Sequence, residues 1–154
     1  MRIAVVFDSP YKGWTPERHH QQMEMELAGK VAGVTEADVE YQVGGALAEL
    51  GHEVLFIGIH DDLREIMDRC AEWKPELVVN CAEAFRDARH DYVFPALLET
   101  SGIRYTGTSP LGLLTSRDKA MSKKILAYHG IQVPGFATWR PNETVTEAPP
   151  LKFP

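Results

Sequence analysis

The chain has 154 residues, 44% of them apolar and 25% charged, with two cysteines, the composition of a single globular domain large enough to need neither disulfides nor a structural metal. Its 22 acidic residues exceed its 16 basic ones for a net charge of -6, which opposes general binding to nucleic-acid phosphates or anionic lipid heads. The opening apolar run, Ile3 to Phe7, ends at Asp8; it is shorter than a secretory h-region of about 7 to 15 residues or a membrane span of about 20, so the sequence reads as cytoplasmic, with no nucleic-acid and no membrane partner.

Arg2 to Phe7 is β-branched and almost continuously apolar, the pattern of a strand covered on both faces. Ser9 to Val34 then departs from simple alternation, because about 26 residues intervene where about 2 to 6 usually join a strand to its helix. The segment is therefore read as an insertion at about 9–35. Thr15, Pro16 and Glu17 start a helix within it that runs to about Gly29, and Lys12, Gly13 and Trp14 form its tip. Thr35 with Asp38 can cap the next helix, whose apolar stripe is Val39, Val43, Ala46, Leu47 and Leu50, closed by Gly51.

Val54 to Ile59 is a second buried strand, followed by a helical stripe of Leu63, Ile66, Met67 and Cys70 that ends before Lys74 and Pro75. Leu77 to Asn80 is a third strand. A polar stretch from Glu83 to Asp91 leads to a short helix with Pro95 in its first turn and Gly102 as its stop, and Ile103 to Thr106 is a fourth strand. Strands alternating with crossover helices make an α/β fold, a parallel sheet of about four strands with helices on both faces. Beyond Gly107 the pattern becomes helix upon helix: a short turn at Ser109 to Thr115, then Asp118 to His129 with Met121, Ile125 and Tyr128 on one face, stopped by Gly130. Phe136 to Trp139 is a candidate strand in a Pro-rich close, and Cys70 and Cys81 read as small packing residues.

Several nucleotide chemistries are excluded by their missing signatures. DSPYKG stands after the first strand where a dinucleotide fingerprint needs G-x-G-x-x-G, and no G-x-x-x-x-G-K-[ST] occurs. The third strand ends in Asn80 and Cys81, not in a phosphate-accepting Asp. The informative stretch runs from Glu83 to Phe136. Gly107 directly after a strand permits a tight turn or a close ligand approach, and Thr108 and Ser109 place hydroxyls beside amides at the carboxyl edge of the sheet. Lys119, one turn into its helix, lies away from the Met121, Ile125, Tyr128 stripe and can face a neighbouring module.

Within this stretch the chain resembles the amino-terminal part of ATP-grasp ligases, and among them D-alanine–D-alanine ligase and its relatives. The matching positions are Asn80, Glu83, Pro95 to Glu99, Gly102 to Thr108, Asp118, Lys119, Ser122, Lys123, Gly130, Ile131 and Pro134, in one order and at one spacing. The resemblance implies a pre-ATP-grasp (Rossmann-like) domain over 1–108 and, over 109–154, a helical linker and the truncated start of an ATP-grasp central domain. It implies a carboxylate–amine ligase that uses ATP and Mg2+, held mainly by regions outside this chain, to join amino acids through an acylphosphate. Its partners would be amino-acid substrates, the rest of the ATP-grasp domain and a second copy in a homodimer; its setting would be peptidoglycan biosynthesis.

By the same resemblance Lys119 contacts ATP phosphate, and Glu83, Arg86, Gly107 and Thr108 lie on the substrate side; no residue is assigned to a metal. Glu83 is equally a solvated loop acid, and Arg86, Arg89 and His90 are either carboxylate binders or solubilising charges. The family's G-G-x-S-x-E after the first strand is missing, so its amine-holding role falls to Asp8, Ser9 or Glu17, with no spacing to select among them. The isolated chain is expected to be inactive. The competing reading is a non-catalytic α/β module that binds a small ligand or a protein.

Overall fold

A computed structural model describes residues 1–9, 12–13, 15, 17–18, 39–60, 62–82, 90–139 and 142–144. Three strands, β1 (Arg2–Asp8), β2 (Glu53–Ile59) and β3 (Leu77–Asn80), form a parallel sheet in the order β2-β1-β3. Asp8 lies opposite Ile59, and Val6 lies opposite Asn80, so the three carboxyl ends open on one edge. No residue from Ile3 to Phe7 is more than 3% exposed, as a central parallel strand covered on both faces requires.

Alternation splits those side chains between two layers. Ala4 and Val6, with Ile57, Ile59 and Val78, pack against Ile66 and Cys70 of helix α2 (Leu63–Trp73) and Phe94 and Leu98 of helix α3 (Val93–Thr100). On the opposite face Phe7 and Phe56 meet Tyr41 of helix α1 (Val39–Glu49), with ring centroids 5.8 and 5.2 Å from that of Tyr41. Each fully buried Ile or Val in these layers contributes roughly 1.5–3 kcal/mol of transfer free energy. Burial also pushes the Cys70 and Cys81 thiols up, which makes both free cysteines poor nucleophiles.

Helix α1 makes its closest approach through a residue outside its apolar stripe. Val39 and Leu50 are largely exposed, and the residue of α1 that is buried is Gly44. A Cβ at that position would run into the Phe56 ring; the bulk of the aromatic trio selects the helix position without a side chain, while Val43 and Leu47 of the stripe are half-buried beside it. The capping pair Thr35 and Asp38 lies outside the described residues. Helix α2 is capped by Asp62, whose Oδ1 accepts from the Arg64 amide at 2.9 Å. The hydrogen bonds from the Arg64 guanidinium hold that carboxyl well down, at about 2. Pro95 sits in the first turn of α3 and is buried, and Gly102, at φ +68°, turns the chain out of that helix.

The expected fourth strand is reduced to a single bridge. The Val78 amide donates to the Arg104 carbonyl at 2.8 Å and the Thr106 amide to the Val78 carbonyl at 2.9 Å, with Tyr105 opposite Val78. The next rung would run from the Asn80 amide to the Thr106 carbonyl, but the Thr106 hydroxyl takes that proton at 3.1 Å. Gly107, at φ +110°, then carries the backbone away, so pairing stops after one residue.

Helices α4 (Pro110–Arg117) and α5 (Lys119–Tyr128) follow; the first is a full eight-residue helix where only a short turn was expected. Neither has a buried residue. The stripe of Met121, Ile125 and Tyr128 is exposed, together with Leu111 and Leu114. Phe136 to Trp139 forms no strand; the Phe136 ring instead lies 5.1 Å below the Lys123 ammonium, a cation–π contact. Most of the 9–35 insertion lies outside the described residues, including the greater part of the helix expected from Pro16 to Gly29. Its start is as expected, since Thr15 Oγ1 accepts from the Arg18 amide at 3.2 Å. Among the described residues no helix is long and apolar enough to cross a membrane.

Candidate functional site

The carboxyl edge of the sheet is built almost entirely by backbone satisfaction. At the end of β1 the buried Ser9 donates its amide to the Ile59 carbonyl, and its own carbonyl accepts from His60 Nδ1 at 3.0 Å, which assigns the ring the Nδ1–H tautomer. At the end of β3 the Asn80 Oδ1 accepts from the Ala82 amide at 3.1 Å, an Asx turn, while the Cys81 amide reaches the Val6 carbonyl at 2.8 Å. These bonds fix where the backbone leaves β1 and β3 at the carboxyl edge of the sheet.

Tyr105 locks the last extended segment to helix α3. Its hydroxyl donates to Glu99 Oε1 at 2.6 Å, and burial together with that carboxylate pushes it up to about 12. Glu99, the acid of the P-A-L-L-E match, thus has a structural use. Beyond Tyr105, Gly107 takes a positive φ with open space where its Cβ would lie; conformation, not crowding, requires glycine there. Thr108 is exposed, yet its Oγ1 rests on Gly112, where a Cβ would overlap it. Ser109 caps α4 by accepting from the Gly112 amide at 3.3 Å.

The D-K-x-x-S-K stretch resolves into separate jobs. Asp118 caps α5: its Oδ1 accepts from the Ala120 and Met121 amides at 3.0 and 2.9 Å. Ser122 Oγ donates toward the Thr115 and Asp118 carbonyls, 3.0 and 2.7 Å away, tying the two helices at their corner. Lys123 holds Phe136. Lys119 is left exposed, at the first position of α5 and not a turn into it, with no carboxylate paired to it among the described residues. Its ammonium is open to solvent.

Of the residues singled out from sequence, Asp8 and Ser9 are at the carboxyl edge, Gly107 and Thr108 follow the bridge beside β3, and Glu17 is exposed in the insertion. Glu83 and Arg86 lie outside the described residues, as does Arg89; His90 is exposed at the end of that loop. Among the described residues no three His, Cys, Asp or Glu side chains come together as a metal site. Sequence reasoning missed Asp91, which is buried and paired with Arg117 Nη2, because no local pattern links residues so far apart.

No protein-family model matches the chain. An uncharacterized protein, y4sG, of Sinorhizobium fredii is 31% identical across all of this chain and 45% of its own length. The D-alanine–D-alanine ligase of Moorella thermoacetica is 33% identical over 71% of this chain and 34% of its own length. In solved structures, the D-alanine–D-alanine ligase of Bacillus anthracis complexed with ATP superposes with a TM-score of 0.58 at 20% identity, covering 95% of this chain and 42% of that one. The chain spans less than half the length of these relatives.

Proposed function

Because the chain is D-alanine–D-alanine ligase-like over most of its length, we propose that it is the amino-terminal, substrate-side part of an ATP-dependent carboxylate–amine ligase. In this reading residues 1–108 are the pre-ATP-grasp domain, with the insertion at about 9–35, and 109–154 lead into the ATP-grasp central domain. The carrying observation is the α4–α5 corner, where every polar member of D-K-x-x-S-K except Lys119 is used internally.

ATP, when bound, supplies the phosphoryl group that turns a substrate carboxylate into an acylphosphate open to attack by an amine. Such transfer is accelerated mainly by positioning and charge neutralisation. In this chain Lys119 would neutralise phosphate charge from a rigid helix start. Gly107 and Thr108, with Glu83 and Arg86 of the preceding loop, would line the substrate side. The described residues do not form a magnesium centre, and the reading assigns that ion to polypeptide outside this chain. An ATP-consuming reaction is matched to the cytoplasm, and the resemblance adds a homodimer and a cell-wall dipeptide product. Asp8, Ser9 and Glu17 remain the candidates to hold the first substrate's amine.

The test is a chimera in which this chain replaces the matching segment of the Moorella thermoacetica ligase. It should release phosphate only with ATP, magnesium and particular amino-acid pairs, while the 154-residue chain alone should release none. Lys119→Ala in the chimera should raise KM for ATP by about ten- to a hundredfold, matching the roughly 1.5–3 kcal/mol of a charged hydrogen bond. A folded chimera that binds amino acids without turning over ATP would instead identify a binding module.

A further inference from the structure

Asp91 ends the loop that follows β3, and its side chain is only 4% exposed. One oxygen, Oδ2, forms an ion pair with Arg117 Nη2, and neither Oδ1 nor Oδ2 has a hydrogen-bond partner among the described residues. A buried carboxylate normally collects several donors, because desolvation of the charge must be offset. Here one guanidinium carries that compensation. Arg117 is the last residue of α4, next to the α5 cap Asp118 and two residues before Lys119. The ion pair therefore joins the foot of the β3–α3 loop to the corner that presents the free lysine.

We propose that Asp91 and Arg117 are a positioning pair: they fix the α4–α5 corner, and with it Lys119, against the loop on the substrate side. The proposal rests on the ligase reading for its functional meaning, but the placement itself stands on the geometry. Helix α4 also packs on α3 of the sheet layer, and the Asp91–Arg117 pair adds a charged tie at the α5 end of α4. The corner's other polar contacts, Asp118 to the Ala120 and Met121 amides and Ser122 to the Thr115 carbonyl, are internal to the hairpin. Neither α4 nor α5 has a buried residue.

The experiment is residue-resolved amide hydrogen exchange on the 154-residue chain, comparing Arg117→Ala, Asp91→Asn, the double variant and Arg117→Lys. Arg117→Ala leaves the buried carboxylate uncompensated, and should speed exchange at amides near the start of α5, such as Ser122, at least tenfold while Val5 and Val6 of β1 keep their protection. Asp91→Asn in the same chain should restore part of that protection, and Arg117→Lys should retain most of it. Uniform loss across β1 and α5, or no change at α5, would overturn the proposal. If Arg117→Ala does not fold, Asp91→Asn carries the comparison, with faster exchange confined to α5 supporting the pair and no change there opposing it, and Arg117→Lys, which keeps the charge, should stay close to the unsubstituted chain. None of these outcomes depends on nucleotide binding, so a failed ligase reading leaves this test intact, and a failed positioning pair leaves the ligase test intact.

Discussion

The sheet layer and the α4–α5 hairpin are held together by opposite means. In the first, Ile3 to Phe7, Ile57, Ile66 and Leu98 are essentially removed from water. In the second, no residue is buried, and shape comes from Asp118 and Ser109 capping, Ser122 bridging and the Asp91–Arg117 pair. Area decides stability in one region and hydrogen-bond geometry decides conformation in the other. The difference teaches that the two should respond independently to substitution, and that the hairpin's exposed Leu111, Leu114, Met121 and Ile125 contribute little to this chain's own stability.

The hardest test of that contrast is Ile57→Ala, which should cost about 2–5 kcal/mol in urea unfolding through lost burial and a residual cavity. Gly44→Ala should follow at about 1–3 kcal/mol, since its Cβ meets the Phe56 ring, and Phe56→Leu should relieve much of that cost in the double variant. Asp118→Ala removes the α5 cap and should cost about 1 kcal/mol, appearing as faster exchange at the Ala120 and Met121 amides and not as a lower global midpoint. Met121→Ala should stay within about 0.5 kcal/mol; a loss as large as that of Ile57→Ala would erase the distinction between the regions.

A pH measurement sharpens the junction between them. Tyr105, pushed up to about 12, should titrate later than an ordinary tyrosine near 10 in ultraviolet absorbance, and Tyr105→Phe should abolish that late phase. Because the folded value is raised, its contribution to stability is complete below about pH 10 and is lost as the pH climbs toward about 12.

What was readable in the sequence was what neighbours in the chain decide. The apolar runs of β1, β2 and β3, the Pro95 start and Gly102 stop of α3, and the Ile66 and Cys70 stripe of α2 all depend on spacings within a few residues. The orientation of α1 did not, because Phe56 from another element selects Gly44 as the contact. The α5 stripe was legible as a stripe, but periodicity says nothing about whether a partner lies opposite. Phe136 to Trp139 has strand-forming residues, and among the described residues no strand pairs with it. Around the site, Asp118 and Lys119 could be picked out from a local motif, whereas Asp91 and Arg117 meet only through the fold.

The shortened pairing beside β3 also bears on how the chain behaves in company. An open parallel edge is a template on which another extended segment can grow, and proteins that leave one unguarded tend to associate. Here the two backbone bonds at Val78 and the Thr106 hydroxyl on the Asn80 amide use up the donors and acceptor that such a segment would seek. Thr106 thereby blunts this edge as well as shaping it, a duty that a threonine carries with its side chain and that valine of the same outline does not.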